Sequence, residues 1–213
     1  MVEHESQVSD FHDKQQVTDV YFAEMRDLIL AKTGATAAFA VDFYQVRSAE
    51  PAHFFDAYSL YMHCDFSPDS RTKLARHFIR AATRAADTET EYSDEAWDFA
   101  VYNLWRPVGG PVERDPLVLI DASTVARSDI LEYSPMKDRD DGRAALPLYN
   151  PDQTLYYVPH MQPNEVLVFK QLDSRPGHAL VCPHTSFQDP TAKADAPPRQ
   201  SIDIRMVCVF PKR

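Results

Sequence analysis

From Trp97 onward the chain is a succession of short apolar runs broken by proline, aspartate and asparagine: Asp98–Trp105, Leu117–Ile120, Thr154–Val158, Glu165–Phe169, Ala179–Val181 and Ser201–Phe210. Runs of strand length at such spacing predict an antiparallel sandwich or barrel. The helices belong to the first half. From Thr18 onward Tyr21, Phe22, Met25, Leu28, Ile29 and Lys32 recur at helical spacing, and Gly34 supplies a stop. Thr36–Val46, rich in β-branched and aromatic residues, reads as a strand. Ser67-Pro68-Asp69 opens a second helix with a capping hydroxyl and a first-turn proline; its stripe is Leu74, Phe78 and Ile79, then Ala81 and Ala82, fading near Asp87. The resulting picture is a mostly β fold with flanking helices. Residues 1–17 are polar, lack a period and read as a flexible arm, and residues 18–213 read as one domain. Tyr133–Pro151 reads as a long polar loop and Asp189–Pro198 as a proline-rich connector.

Composition narrows the partners. Lys and Arg number 22 against 32 Asp and Glu, a net charge of −10, and nucleic acid is not expected on such a surface. Glycine is scarce, at five residues, and no GxGxxG or GxxxxGK[ST] pattern exists to cradle a phosphate. No run nears the ~18–20 apolar residues that cross a bilayer, so no membrane partner is expected. The opening Met1–Ser6 lacks the basic and apolar stretches of a secretory signal. Cys64, Cys182 and Cys208 are an odd number without CxxC spacing, which reads as reduced thiols in a cytoplasmic protein.

Chemistry concentrates in a few side chains. In Tyr61-Met62-His63-Cys64-Asp65-Phe66 the imidazole and carboxylate stand two residues apart, so an extended backbone turns both to one face. They form two thirds of a two-His-one-carboxylate set for Fe(II), with open positions left on the ion. HxD alone recurs by chance, and the third ligand should be a histidine on another strand. His184, after the run ending at Val181, fits; His160 and His178 are rivals. Fifteen residues after His184, Arg199 and Ser201 share one face of a strand. A guanidinium fork beside a hydroxyl suits the far carboxylate of 2-oxoglutarate. Arg205 competes for this role, since positions 199, 201, 203 and 205 alternate onto the same face, although Asp203 could engage it. Asn103, Trp105 and Lys170 are candidate pocket residues, equally readable as core (Trp105) or strand-end charge (Lys170). Cys64 should point away from the metal and pack.

Several segments carry a resemblance. Tyr102–Pro107, Gly110–Glu113, Asp115–Leu117, Asp121–Ser123, Glu165–Lys170, Pro183–Phe187 and above all Ala196-Pro-Pro-Arg-Gln-Ser-Ile-Asp-Ile-Arg205 resemble the AsaB/CmcJ-type hydroxylase and desaturase family, over about Tyr61 to Phe210. The resemblance implies a double-stranded β-helix (jelly-roll, cupin-like) core and a non-haem Fe(II)/2-oxoglutarate-dependent dioxygenase using O₂. It implies a small-molecule substrate, which Tyr58, Trp105, Arg106, Tyr156 and Tyr157 would suit if acidic or amino-acid-derived. Hydroxylation, desaturation and ring closure stay open, as does oligomeric state. Two other readings stand beside it: an iron oxidase that needs no 2-oxoglutarate, and a barrel that binds a small acid without turnover.

Overall fold

The structure, a computed structural model, describes residues 1–49, 57–68, 73, 76–80, 83, 92–93, 95–133, 144–179 and 181–212, with the backbone alone at 42 and 43. In chain order the elements are β1 (Val2–Glu3), α1 (Lys14–Gln16), a π turn (Val17–Tyr21) running into α2 (Phe22–Thr33), β2 (Ala37–Arg47), β3 (Trp97–Pro107), β4 (Leu117–Ile120), β5 (Ile130–Tyr133), β6 (Ala144–Pro147), β7 (Leu155–Tyr157), β8 (Glu165–Asp173), β9 (His184–Ser186) and β10 (Ser201–Pro211). Helix α2 stops where expected: Gly34 takes the left-handed conformation at φ 66° and returns its N–H to the Leu30 carbonyl. Among the described residues no helix is long and apolar enough to cross a membrane.

The strands form two facing layers, a double-stranded β-helix. The larger layer is antiparallel in the order β1-β8-β3-β10-β2. The smaller contains β7-β4-β9 and the pair β5-β6. Two backbone bridges join these pieces: His63 pairs with His184 of β9, and Cys64 with Ala145 of β6. The segment carrying the HxD pair is therefore a strand of the smaller layer in all but length. Alternation along β10 then separates two environments. Ile202, Ile204, Met206 and Cys208 face α2 and pack with Val17, Tyr21, Met25 and Ile29, while Ser201, Asp203 and Arg205 face the space between the layers. On that inner face Trp105, Leu167 and Phe169 meet Leu117 and Met161.

Three expectations are corrected. Residues 1–17 are not a free arm, because β1 pairs with β8, Val8 is buried, Phe11 packs on the core and Ser6 and Gln7 donate to Glu24. Isolated apolar residues in a polar stretch show no period, yet each can fill one gap. Ala179–Val181 is no strand in its described residues; pairing begins at His184, where β4 and His63 offer backbone partners. Part of the predicted loop Tyr133–Pro151 is strand β6, whose buried Ala145 is too small to signal burial; residues 134–143 lie outside the described residues. Of the second predicted helix, residues 73, 76–80 and 83 are helical, while Asp69, Leu74, Ala81, Ala82 and Asp87 lie outside the described residues.

Candidate metal centre

His63, Asp65 and His184 converge. One nitrogen or oxygen of each lies within 4.8 Å of the others. His63 Nε2 is 3.5 Å and His184 Nε2 3.9 Å from Asp65 Oδ1, and the imidazole centroids are 4.4 Å apart. The other ring nitrogens fix the tautomers. His63 Nδ1 lies 2.8 Å from the Tyr61 carbonyl and His184 Nδ1 3.1 Å from the Cys182 carbonyl. A carbonyl only accepts, so each Nδ1 carries the hydrogen and each Nε2 presents a lone pair toward Asp65. Two imidazoles and one carboxylate oxygen, oriented by backbone partners, are a ligand set suited to a divalent transition metal.

Electrostatics support the same assignment. Burial pushes the His184 pKa down to about 4, keeping the ring neutral and able to ligate. At His63 burial also opposes protonation, but the Asp65 carboxylate and the Tyr61 carbonyl outweigh it and the shift is upward. Burial would raise Asp65; Arg205 and the two histidines reverse this and hold its carboxyl well below the usual range. Asp65 Oδ2, turned away from the imidazoles, accepts from Arg205 Nε (2.9 Å) and Asn103 Nδ2 (2.9 Å), with Arg205 Nη2 at 2.8 Å. Cys64 points the other way, into Ile130, Ala145 and Val181, and burial lifts its thiol to about 12.

A pocket opens beside this cluster, lined by His63, His184, Trp105, Phe169, Arg199 and Asp203 among others. Arg199 is 3% exposed, its guanidinium 4.3 Å from the Tyr58 ring centroid and 5.1 Å from that of Trp105. Nη1 donates to the Asp115 carbonyl at 2.8 Å, whereas Nε is buried with no partner. Ser201 Oγ, Asn103 Oδ1 and Asp203 Oδ1 are likewise buried and unpartnered. Unmade hydrogen bonds on buried groups cost about 1–3 kcal/mol each, and Arg199 and Asp203 carry two of them into the pocket lining, where a polar ligand could complete them. Burial also lowers the Arg199 pKa to about 10 and raises that of Asp203 to about 6.

Two candidate pocket residues sit elsewhere than expected. Lys170 lies across the sheet from His63, Asp65 and His184, 5.7 Å from the Tyr102 ring and 2.6 Å from buried Asp173. The run Glu165–Phe169 is apolar on both faces, so its pattern does not say which face is inner. Asn103 touches Asp65 from behind the ligand set, and only Trp105 lines the pocket. Arg205 engages Asp65 at 2.8 Å more closely than Asp203 at 3.7 Å. Sequence reading missed Gln171, whose Oε1 accepts from the Asp65 amide at 3.3 Å and whose Nε2 stands 3.4 Å from His184 Nδ1. It occupies a bulge of β8, opposite the step from Val101 to Tyr102. It lies beyond the apolar run ending at Phe169, next to Lys170, so no pattern in the sequence singled it out.

The fold is that of a double-stranded β-helix protein, and His63, Asp65 and His184 form a candidate two-His-one-carboxylate site within it. A family model described as an oxidoreductase/YMDC permease-like domain matches residues 1–209, and the chain belongs to that family. Among curated relatives it is 26% identical over 196 residues to the Fe(II)/2-oxoglutarate-dependent dioxygenase nvfI of Aspergillus novofumigatus, covering 91% of this chain and 67% of that one. It is 32% identical over 127 residues to the hydroxylase/desaturase asaB of Aspergillus flavus, covering 53% and 56%. The iron and alpha-ketoglutarate-dependent endoperoxidase NvfI superposes with a TM-score of 0.82 at 24% identity, over 99% of this chain and 76% of that one. The resemblance to AsaB-type enzymes read from the motifs stands.

Proposed function

We propose that this chain is an Fe(II)/2-oxoglutarate-dependent oxygenase acting on a small-molecule metabolite. The observation that carries the proposal is the convergence of His63, Asp65 and His184 within 4.8 Å, with both Nε2 atoms facing Asp65 Oδ1. These three would hold the iron. Arg199 would hold the far carboxylate of 2-oxoglutarate, with Ser201 Oγ beside it. The loaded site would let O₂ convert 2-oxoglutarate to succinate and CO₂ with one oxygen atom, leaving the other to oxidise a substrate C–H bond. The chain's own contribution is placement. Tyr61 and Cys182 aim the imidazoles, Arg205 and Asn103 hold the carboxylate, and Trp105 and Tyr58 flank the anchoring guanidinium so that it keeps one orientation. Phe169, 4.9 Å from the His184 ring, lines the wall and keeps water from that side. The three free cysteines, two of them fully buried, fit a reducing compartment and support a cytoplasmic location.

The test is thermal denaturation with Mn(II), a redox-silent substitute for Fe(II), and 2-oxoglutarate. Stabilisation should be largest with both present and absent in His184→Ala. Product formed without succinate would assign instead an oxidase that needs no 2-oxoglutarate. No metal stoichiometry, with ligand binding intact in His63→Ala, would assign a non-catalytic barrel.

A further inference from the structure

Asp65 presents its two oxygens to opposite environments. Oδ1 faces the imidazole nitrogens at 3.5 and 3.9 Å, and Oδ2 is ringed by Arg205 Nε, Arg205 Nη2 and Asn103 Nδ2 at 2.9, 2.8 and 2.9 Å. A carboxylate can give a metal one oxygen or both. Three donors on Oδ2 engage the lone pairs that a second bond to the metal would need. We propose that Arg205, seconded by Asn103, is a positioning residue that restricts Asp65 to a single metal–oxygen bond and so keeps one coordination position open that the carboxylate would otherwise take. The inference rests on the iron reading above and deepens it.

The open position matters because of the count. A six-coordinate ion with three protein ligands has about three positions left, enough for a two-point keto acid and O₂ together. If Asp65 chelated, about two would remain, and cosubstrate and O₂ would compete. The clamp is also built into the fold and not into a loop. Arg205 lies mid-way along the eleven-residue β10, and Asn103 stands directly opposite it in the β3 register. Both side chains are buried, and the Arg205 head is about as enclosed as the carboxylate it meets, at 9% and 10% exposure. An oriented guanidinium fork also specifies direction: its Nε and Nη2 edge meets one carboxylate oxygen and holds the plane of the group.

The test uses the full chain loaded with Mn(II). Paramagnetic relaxation of water protons counts the exchangeable waters on the ion, and titration measures 2-oxoglutarate affinity without turnover. Wild type should hold about three waters. Arg205→Gln should still bind Mn(II) but hold about two, and bind 2-oxoglutarate about 10–100-fold more weakly, the range typical of lost outer partners of metal ligands. Arg205→Lys, which keeps a cation against Oδ2 without the fork, should retain about three waters with a smaller loss of affinity. An Arg205→Gln protein with the wild-type water count overturns the inference. Should that variant fail to fold, a Lys variant with wild-type 2-oxoglutarate affinity overturns it instead. A wild-type chain that takes up no Mn(II) refutes the iron reading itself, which separates the two failures.

Discussion

Replacing Arg199 by Met should leave the ligand-free protein at least as stable and destroy its response to 2-oxoglutarate. The guanidinium is 3% exposed, its Nε lacks a partner and no carboxylate meets it among the ion pairs of the described residues. Burial lowers its pKa from 12.5 to about 10. At about 1.4 kcal/mol per unit, the charged form is disfavoured in the fold by about 3 kcal/mol. Met fills much of the same volume and removes that penalty. It also forfeits the stacking on Tyr58 and Trp105, at about 0.5–1 kcal/mol each. It also removes the donor of the Asp115 carbonyl, at about 0.5–1.5 kcal/mol. The net is a change of about 0–1 kcal/mol in favour of the variant, or a Tm up to about 4 °C higher for a domain of this size. Ligand binding moves the other way. Charge-assisted hydrogen bonds contribute about 1.5–3 kcal/mol each, so losing a two-point grip should weaken 2-oxoglutarate by at least two orders of magnitude. Differential scanning calorimetry with and without Mn(II) and 2-oxoglutarate reads both effects. A variant that is less stable yet still stabilised by 2-oxoglutarate would refute the reasoning, because Arg199 would then be a structural cation and not the anchor.

Other outcomes follow from the same geometry. In metal-free protein His184 titrates near 4 against 6.5 when unfolded, so stability should fall as pH drops from about 6.5 toward 4, by about 3 kcal/mol; His63, shifted upward, offsets part of this, and His184→Gln should flatten the acid limb of a denaturation series. Asp203, raised to about 6, becomes an anion in the Arg199 pocket above that pH, so 2-oxoglutarate affinity should weaken by about tenfold as pH rises through 6, and Asp203→Asn should abolish the slope in a binding titration. Burial raises all three thiols to about 12, so iodoacetamide should label Cys64, Cys182 and Cys208 only after unfolding, as counted by mass spectrometry.

Much of the site was legible because it depends on local parity. His63 and Asp65 share a face since they are two apart in extended chain, and Arg199 and Ser201 share another for the same reason. Strand β4 falls on Leu117–Ile120 as its apolar run predicts, because turn residues bound it on both sides. What escaped depends on pairing across the chain. Arg205 and Asp203 stand two apart on one face and look like an ion pair, but Arg205 meets Asp65, 140 positions away, more closely. The packing of the two layers decides between these carboxylates, and no spacing along β10 records it. Gln171 escaped through the bulge that breaks alternation in β8.

The inner face of β10 has a further meaning. Arg199 precedes the strand, and Ser201, Asp203 and Arg205 continue the same face, all four under about a tenth exposed. The opposite face of the same strand is Ile202, Ile204 and Met206 at 0%. A sheet selected for stability alone would bury hydrophobes on both faces, since replacing buried charges with packed apolar residues is often neutral or stabilising. Among the described residues, Arg205 has its charge met by a close, directed acceptor in Asp65, at 2.8 and 2.9 Å. Arg199 Nε, Ser201 Oγ and Asp203 Oδ1 have no hydrogen-bond partner among the described residues. On the proposed function, stability given up at these groups would be recovered when a ligand completes those bonds. A polar stripe alternating with apolar residues, RxSxDxR over Ile and Met, is how that trade reads in sequence.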